Sequence, residues 1–131
     1  MRVSVVIDSQ DPQGLAPFWQ QALGYRRAGE PAGYVVLAPP TDDAGPGRPV
    51  LVLQRVAEPR TGKNRLHLDL HDDDVPAQIM RLQALGARPL GEPVTELLES
   101  AGIWWQVMAD PEGNEFCLIA ESGEPESGEP G

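Results

Sequence analysis

The sequence predicts an α+β domain made of two similar halves, each running strand, helix, further strands. Three observations carry this. Two helix-length apolar patterns open at aspartate and close on Leu-Gly, at Leu23-Gly24 and Leu85-Gly86. A Val- or Leu-rich run precedes each helix, and β-rich runs separated by Pro and Gly follow each one.

Residues 2–8 are rich in Val and Ile and read as a well-buried strand. Asp11 is placed to cap the next helix, with Pro12 at its first position, where a missing N–H costs nothing. Leu15, Phe18, Trp19 and Ala22 then form an apolar stripe that stops at Gly24. Residues 34–37 and 49–56 read as a strand hairpin whose connection, residues 39–49, is a long, mobile loop of Pro, Gly and Asp.

A polar loop over residues 58–64 leads into the second copy. Residues 65–70 alternate as Arg-Leu-His-Leu-Asp-Leu, the pattern of a half-buried strand. Asp73 and Asp74 precede a helix carrying Ile79, Met80, Leu82 and Leu85 and closing at Gly86. The acidic run 72–74 suits a helix N-terminus, where the dipole favours negative charge. A strand over residues 103–108, a tight turn at 110–114 and a last strand over 115–120 complete the copy. The turn lacks the spacing and terminal Glu of an EF-hand. A single domain is therefore expected over residues 1–121, in halves of about 1–58 and 63–121. Residues 122–131 repeat Glu-Ser-Gly-Glu-Pro and are expected to be a disordered tail.

Composition narrows the function classes. The 131 residues hold ten basic and twenty acidic side chains, a formal charge of −10. No basic stripe is available to replace counterions on a nucleic acid, so that partner is not expected. A single cysteine, Cys117, rules out an intrachain disulfide and suits a reducing cytoplasm. The apolar start meets Asp8 too early for a signal peptide, and no apolar run is long enough for a membrane span.

Strand parity supplies the candidate site. If Leu66, Leu68 and Leu70 pack on the helices, Arg65, His67, Asp69 and His71 face the other way, joining a base, an acid and a cation in one row. Such a row can orient a ligand or move a proton. The plain alternative is a solvated face on which His and Asp hydrogen-bond each other. By the same parity Ser4, Val6 and Asp8 share a face, as do Val50, Val52 and Gln54, and Glu115, Cys117 and Ile119. A few polar groups among Val and Ile are what a pocket for an organic ligand needs, although a small core with satisfied polar residues has the same pattern. Cys117 reads as a small buried hydrophobe rather than a nucleophile. Trp104 and Trp105 point to opposite faces, one into the core and the other free to stack on a planar ligand. Parity leaves open which; Trp105 is the candidate here, while Trp19 reads as packing.

Phe18-Trp19 followed by Ala22-Leu23-Gly24, the strand with His67, the helix ending at Gly86, and above all Asp110-Pro111-Glu112-Gly113-Asn114-Glu115-Phe116-Cys117 resemble the vicinal oxygen chelate superfamily over residues 2–120. This is the glyoxalase, bleomycin-resistance and dioxygenase group, and the likeness is to a glyoxalase-like subgroup common in actinobacteria. The resemblance implies two βαβββ modules forming an eight-stranded cupped mixed sheet, a small-molecule site in the concave face, and a homodimer. Metal-using members draw four ligands from the first and last strands of the halves. Those positions fall here at about Ser4, His67, Gln54 and Cys117, of which only His67 is a strong ligand. Cys117 stands where such enzymes carry Glu, and Glu115 lies two residues away on the same face.

The leading expectation is therefore a domain binding a small organic molecule through His67, Gln54, Asp69 and Glu115. Ser4, Asp8, Trp105 and Cys117 also line the site, and the metal centre is incomplete. No catalytic residue is assigned. One rival is a metal-dependent lyase or isomerase, a divalent ion being held by Gln54, His67 and Glu115. The other is a non-catalytic dimerisation or interaction domain.

Overall fold

The computed structural model describes residues 3–40, 48–62 and 64–125. Residues 41–47, within the expected loop, and 126–131, within the expected tail, lie outside the described residues. The chain divides into two compact units, Met1–Thr61 and Gly62–Gly131.

The first unit runs β1 (Ser4–Ser9), α1 (Pro12–Leu23), β2 (Arg26–Gly29), a 3-10 turn (Pro31–Gly33), β3 (Tyr34–Ala38) and β4 (Val50–Arg55). Its sheet has the order β1-β4-β3-β2. β1 runs parallel to β4, and β3 is antiparallel to both β4 and β2. Asp11 caps α1 as expected, its Oδ1 accepting the Gly14 N–H at 3.1 Å. Gly24 ends the helix in the left-handed region, at φ 69°, and donates its N–H to the Gln20 carbonyl. Pro17 lies inside the helix and has no N–H to give the ladder. The helix holds because Leu15, Phe18 and Trp19 are buried and α1 packs on β3 and β4, whose alternate residues Val35, Leu37, Leu51 and Leu53 are buried too. Each such side chain contributes about 1.5–3 kcal/mol on leaving water. Trp19 and Phe18 meet edge to face, with centroids 5.1 Å apart, so Trp19 is a packing residue.

The second unit repeats the plan: β5 (Leu68–His71), α2 (Val75–Ala84), β6 (Arg88–Pro89), α3 (Leu98–Ala101), β7 (Trp104–Ala109) and β8 (Glu115–Ala120). Its order is β5-β8-β7-β6, with β5 parallel to β8 and the other pairs antiparallel. The fold is thus α+β, eight strands in two four-stranded mixed sheets, each unit reading β-α-β-β-β. Among the described residues, no helix is long and apolar enough to cross a membrane.

Three local expectations are corrected. The alternation at 65–70 does not make a strand along its whole length: β5 starts at Leu68, opposite Phe116, near the start of β8. Arg65 and Leu66 run past the end of their partner strand into a bend, and Leu66 is 88% exposed instead of packing on a helix. In α2 the buried side is Val75 and Leu82, while Met80 faces solvent. The second Leu-Gly stop also differs from the first. Leu85 keeps a right-handed conformation at the C-cap, and Gly86 takes φ 112°. Its Cα lies so close to Pro111 that an added Cβ would come within 3.2 Å of the proline ring.

Pro111 belongs to the turn between β7 and β8, which is organised by the buried Asp110. Oδ1 of Asp110 accepts the N–H groups of Glu112 and Asn114, and Oδ2 accepts the Asn114 side-chain amide, each at 2.9 Å. The backbone closes the same turn, with Gly113 donating to the Asp110 carbonyl and Asp110 to that of Asn114. An Asx-type turn of this kind fixes where β8 begins.

Candidate functional site

The register of the second sheet sorts its side chains into two faces. Phe116, Leu118, Trp104 and Met108 are buried on one, with Leu68 and Leu70 paired alongside. The other face carries Asp69 opposite Cys117 and Cys117 opposite Val107; beside that row His71 lies opposite Ile119, and Ile119 opposite Trp105. Glu115 precedes Cys117 by two residues and shares its face. From β5 to β7 the face therefore changes from polar, through Glu115, Cys117 and Ile119, to apolar.

His67 ends the bend just before β5. Because Asp69 is two residues on, both side chains fall on the same side, and His67 Nε2 lies 3.0 Å from Asp69 Oδ1. Both are about half exposed, whereas Cys117 is 7% exposed. The ligand atoms of His67, Asp69 and Cys117 all lie within 4.8 Å of one another. Burial pushes the Cys117 thiol up to about 11, and the carboxylates of Asp69 and Glu115 push it the same way, since each disfavours a thiolate nearby. At neutral pH the thiol is protonated, as expected for a packing cysteine.

Of the two tryptophans it is Trp104 that enters the core, 1% exposed, with no hydrogen-bond partner for Nε1 among the described residues. Trp105 lies on the Cys117 face, half-buried. Sequence reasoning missed Glu121. It receives His71, with Nδ1 and Oε1 2.7 Å apart, at a cleft of about 220 Å³ that Asp72, Asp73 and Ile119 also line. Extending the parity of Cys117 and Ile119 by one more step would have found it.

In the first unit, Asp8 lies opposite Gln54, and Gln54 opposite Tyr34, a residue not singled out from the sequence. Ser4 pairs with Val50, four register steps from the Asp8–Gln54 pair, which is about 13 Å along the strands. Asp8 and Gln54 are thus brought together; Ser4 and Gln54 are not.

This bears on the metal that the family resemblance implies. An ion with oxygen or nitrogen ligands holds them at about 2.0–2.6 Å, so Ser4 and Gln54 are too far apart to share one. Both are also neutral, weak donors. The residues present do not fit the four-ligand centre.

A family model described as a glyoxalase-like domain matches residues 4–119. No curated protein matches the chain. Among solved structures, the fosfomycin resistance protein FosX from Listeria monocytogenes aligns with TM-score 0.70 at 11% identity, over 92% of each chain. A glyoxalase/bleomycin resistance protein/dioxygenase family enzyme from Burkholderia phytofirmans aligns with TM-score 0.65 at 19% identity, over 89% of this chain and 95% of its own. TioX from Micromonospora aligns with TM-score 0.60 at 17% identity, over 92% of this chain and 98% of its own. At these identities the likeness is one of fold.

Proposed function

The chain belongs to the glyoxalase-like domain family, and on that premise we propose that it binds a small organic molecule against the Cys117 face of its second sheet. The observation that supports this is the gradient across that face: the hydrogen-bonded His67–Asp69 pair on one side, Ile119, Val107 and Trp105 on the other. A ligand with one polar and one planar or apolar end would bury the latter on Trp105 and anchor the former on His67 and Asp69. The family's four-ligand metal centre is not required.

One fold relative is named for fosfomycin resistance, which makes antibiotics the first probes. The reading takes residues 1–121 as one domain of a cytoplasmic homodimer, for which the lone, buried, protonated cysteine is suitable.

Thermal-shift measurements against a panel of planar antibiotics and glutathione adducts test it. A binder should raise Tm saturably, by the equivalent of about 2.7 kcal/mol at a hundredfold excess over Kd. Trp105→Ala and Asp69→Ala should each abolish the shift. A panel without any saturable shift, or a shift indifferent to both substitutions, would overturn the proposal.

A further inference from the structure

We propose that the organic ligand is a cation: an ammonium or guanidinium group seated in the cleft beside the His71–Glu121 pair, with a planar body over Ile119 and Trp105. This rests on the reading that an organic molecule packs on the Cys117 face, and it names the chemical class of that molecule.

The cleft lies wholly within the second unit and is lined by His71, Asp72, Asp73, Ile119 and Glu121. At about 220 Å³ it is smaller than the roughly 300–1,000 Å³ of a pocket that encloses a whole drug-sized molecule, so it takes one end of a ligand. The register says where the remainder lies. Ile119, in the wall of the cleft, is directly opposite Trp105 on β7. A ligand whose head fills the cleft therefore reaches Trp105 across one strand spacing, about 4.8 Å.

Charge decides what the head is. Three carboxylates and one imidazole leave the cleft at −2 even with His71 protonated. No Lys or Arg is among the described residues that line it. Glu121 is engaged with His71, and Asp72 Oδ2 accepts the Asp74 N–H at 2.9 Å. Asp73 has no such partner among the described residues, so its charge is free for a ligand. The opposing influence is the N-terminus of α2, which is worth about half a positive charge and is already capped by Asp74. Half a charge does not reverse −2. Arg88 pairs with Ala109 and shares this face, but it stands at the opposite edge, three strand spacings or about 14 Å from β5. A phosphonate or carboxylate head would thus be repelled, and the chain's net charge of −10 acts in the same sense at longer range.

The test uses the full chain and three indoles of matched shape: tryptamine, which ends in an ammonium, tryptophol, in a hydroxyl, and indole-3-acetate, in a carboxylate. By calorimetry tryptamine should bind at least about tenfold tighter than tryptophol, and indole-3-acetate more weakly than either. Asp73→Asn and Glu121→Gln should each weaken tryptamine about threefold and leave tryptophol unchanged. Both side chains are exposed, so the variants should fold, which far-ultraviolet circular dichroism checks. Raising the salt from about 0.02 to about 0.5 M should weaken tryptamine severalfold and spare tryptophol. Trp105→Ala should weaken all three, which tests the organic-ligand reading separately. Tryptophol binding as tightly as tryptamine, or tryptamine binding that survives both carboxylate substitutions, would overturn the cation and leave the organic-ligand reading standing. Silence from all three indoles also overturns it, and the antibiotic panel then decides whether the organic-ligand reading falls too.

Discussion

Asp69 and Cys117 lie directly opposite each other across the parallel pair β5–β8. Burial of the thiol, and then the carboxylates of Asp69 and Glu115 beside it, make the thiolate costly, so the thiol should titrate near 11 rather than at its ordinary 9.0. Alkylation by iodoacetamide should be slow at neutral pH and rise toward that value, and Asp69→Asn should lower the midpoint. The folded value is the raised one, so this group's stabilising contribution is complete below about pH 9 and is lost as pH rises toward 11. Chemical denaturation across that range checks the sign; a Cys117→Ser chain should lose less stability over the interval.

Removing either member of the His67–Asp69 pair should barely affect folding. Both side chains are about half exposed, and pairs of that kind are worth about 0–1 kcal/mol. Urea denaturation of His67→Ala and Asp69→Ala should give midpoints close to that of the unsubstituted chain. Loss of organic ligand binding in these variants would then report on the site and not on the fold.

Asp110→Ala should be far more damaging. It deletes a buried carboxylate that accepts from two backbone N–H groups and the Asn114 amide. The expected loss is about 3 kcal/mol by denaturant titration. Asp110→Asn should recover part of it, since one amide oxygen remains to accept.

Gly86→Ala should cost about 1–3 kcal/mol, because φ 112° is strained for any side chain and the new Cβ would press on Pro111. Gly24→Ala, at φ 69° with open space around it, should cost less, about 1 kcal/mol. Equal losses at the two glycines would show that the Pro111 contact contributes nothing.

Asp11→Ala and Asp74→Ala each remove an N-cap, the carboxylates accepting from Gly14 and Ala77 respectively at 3.1 Å. Each should cost about 1 kcal/mol. The two losses should add in the double variant, since the caps belong to separate units.

The sequence by itself determined the local elements and their repetition. Asp11-Pro12 and Asp74 announce helix starts, Gly24 announces a stop, and the Val, Ile and Leu runs announce strands, because capping, glycine's conformational freedom and apolar burial act within a few residues. Parity also placed Asp69 and His71 on one face and Cys117 and Ile119 on another shared face. What parity cannot supply is register, since pairing joins residues about fifty apart in the chain. Only the tertiary structure decided that Asp69 meets Cys117, that Asp8 meets Gln54 while Ser4 lies about 13 Å away, and that Trp104 rather than Trp105 is core. It also recruited β2, whose Arg26-Arg27-Ala28-Gly29 has no apolar signal, through backbone pairing with β3. Leu66 is the converse: apolar in a strand-like pattern, yet exposed, because β8 has no residue left to pair with it. The candidate site was legible as a set of residues and not as an arrangement, because side-chain type is local whereas donor geometry depends on which strands lie side by side.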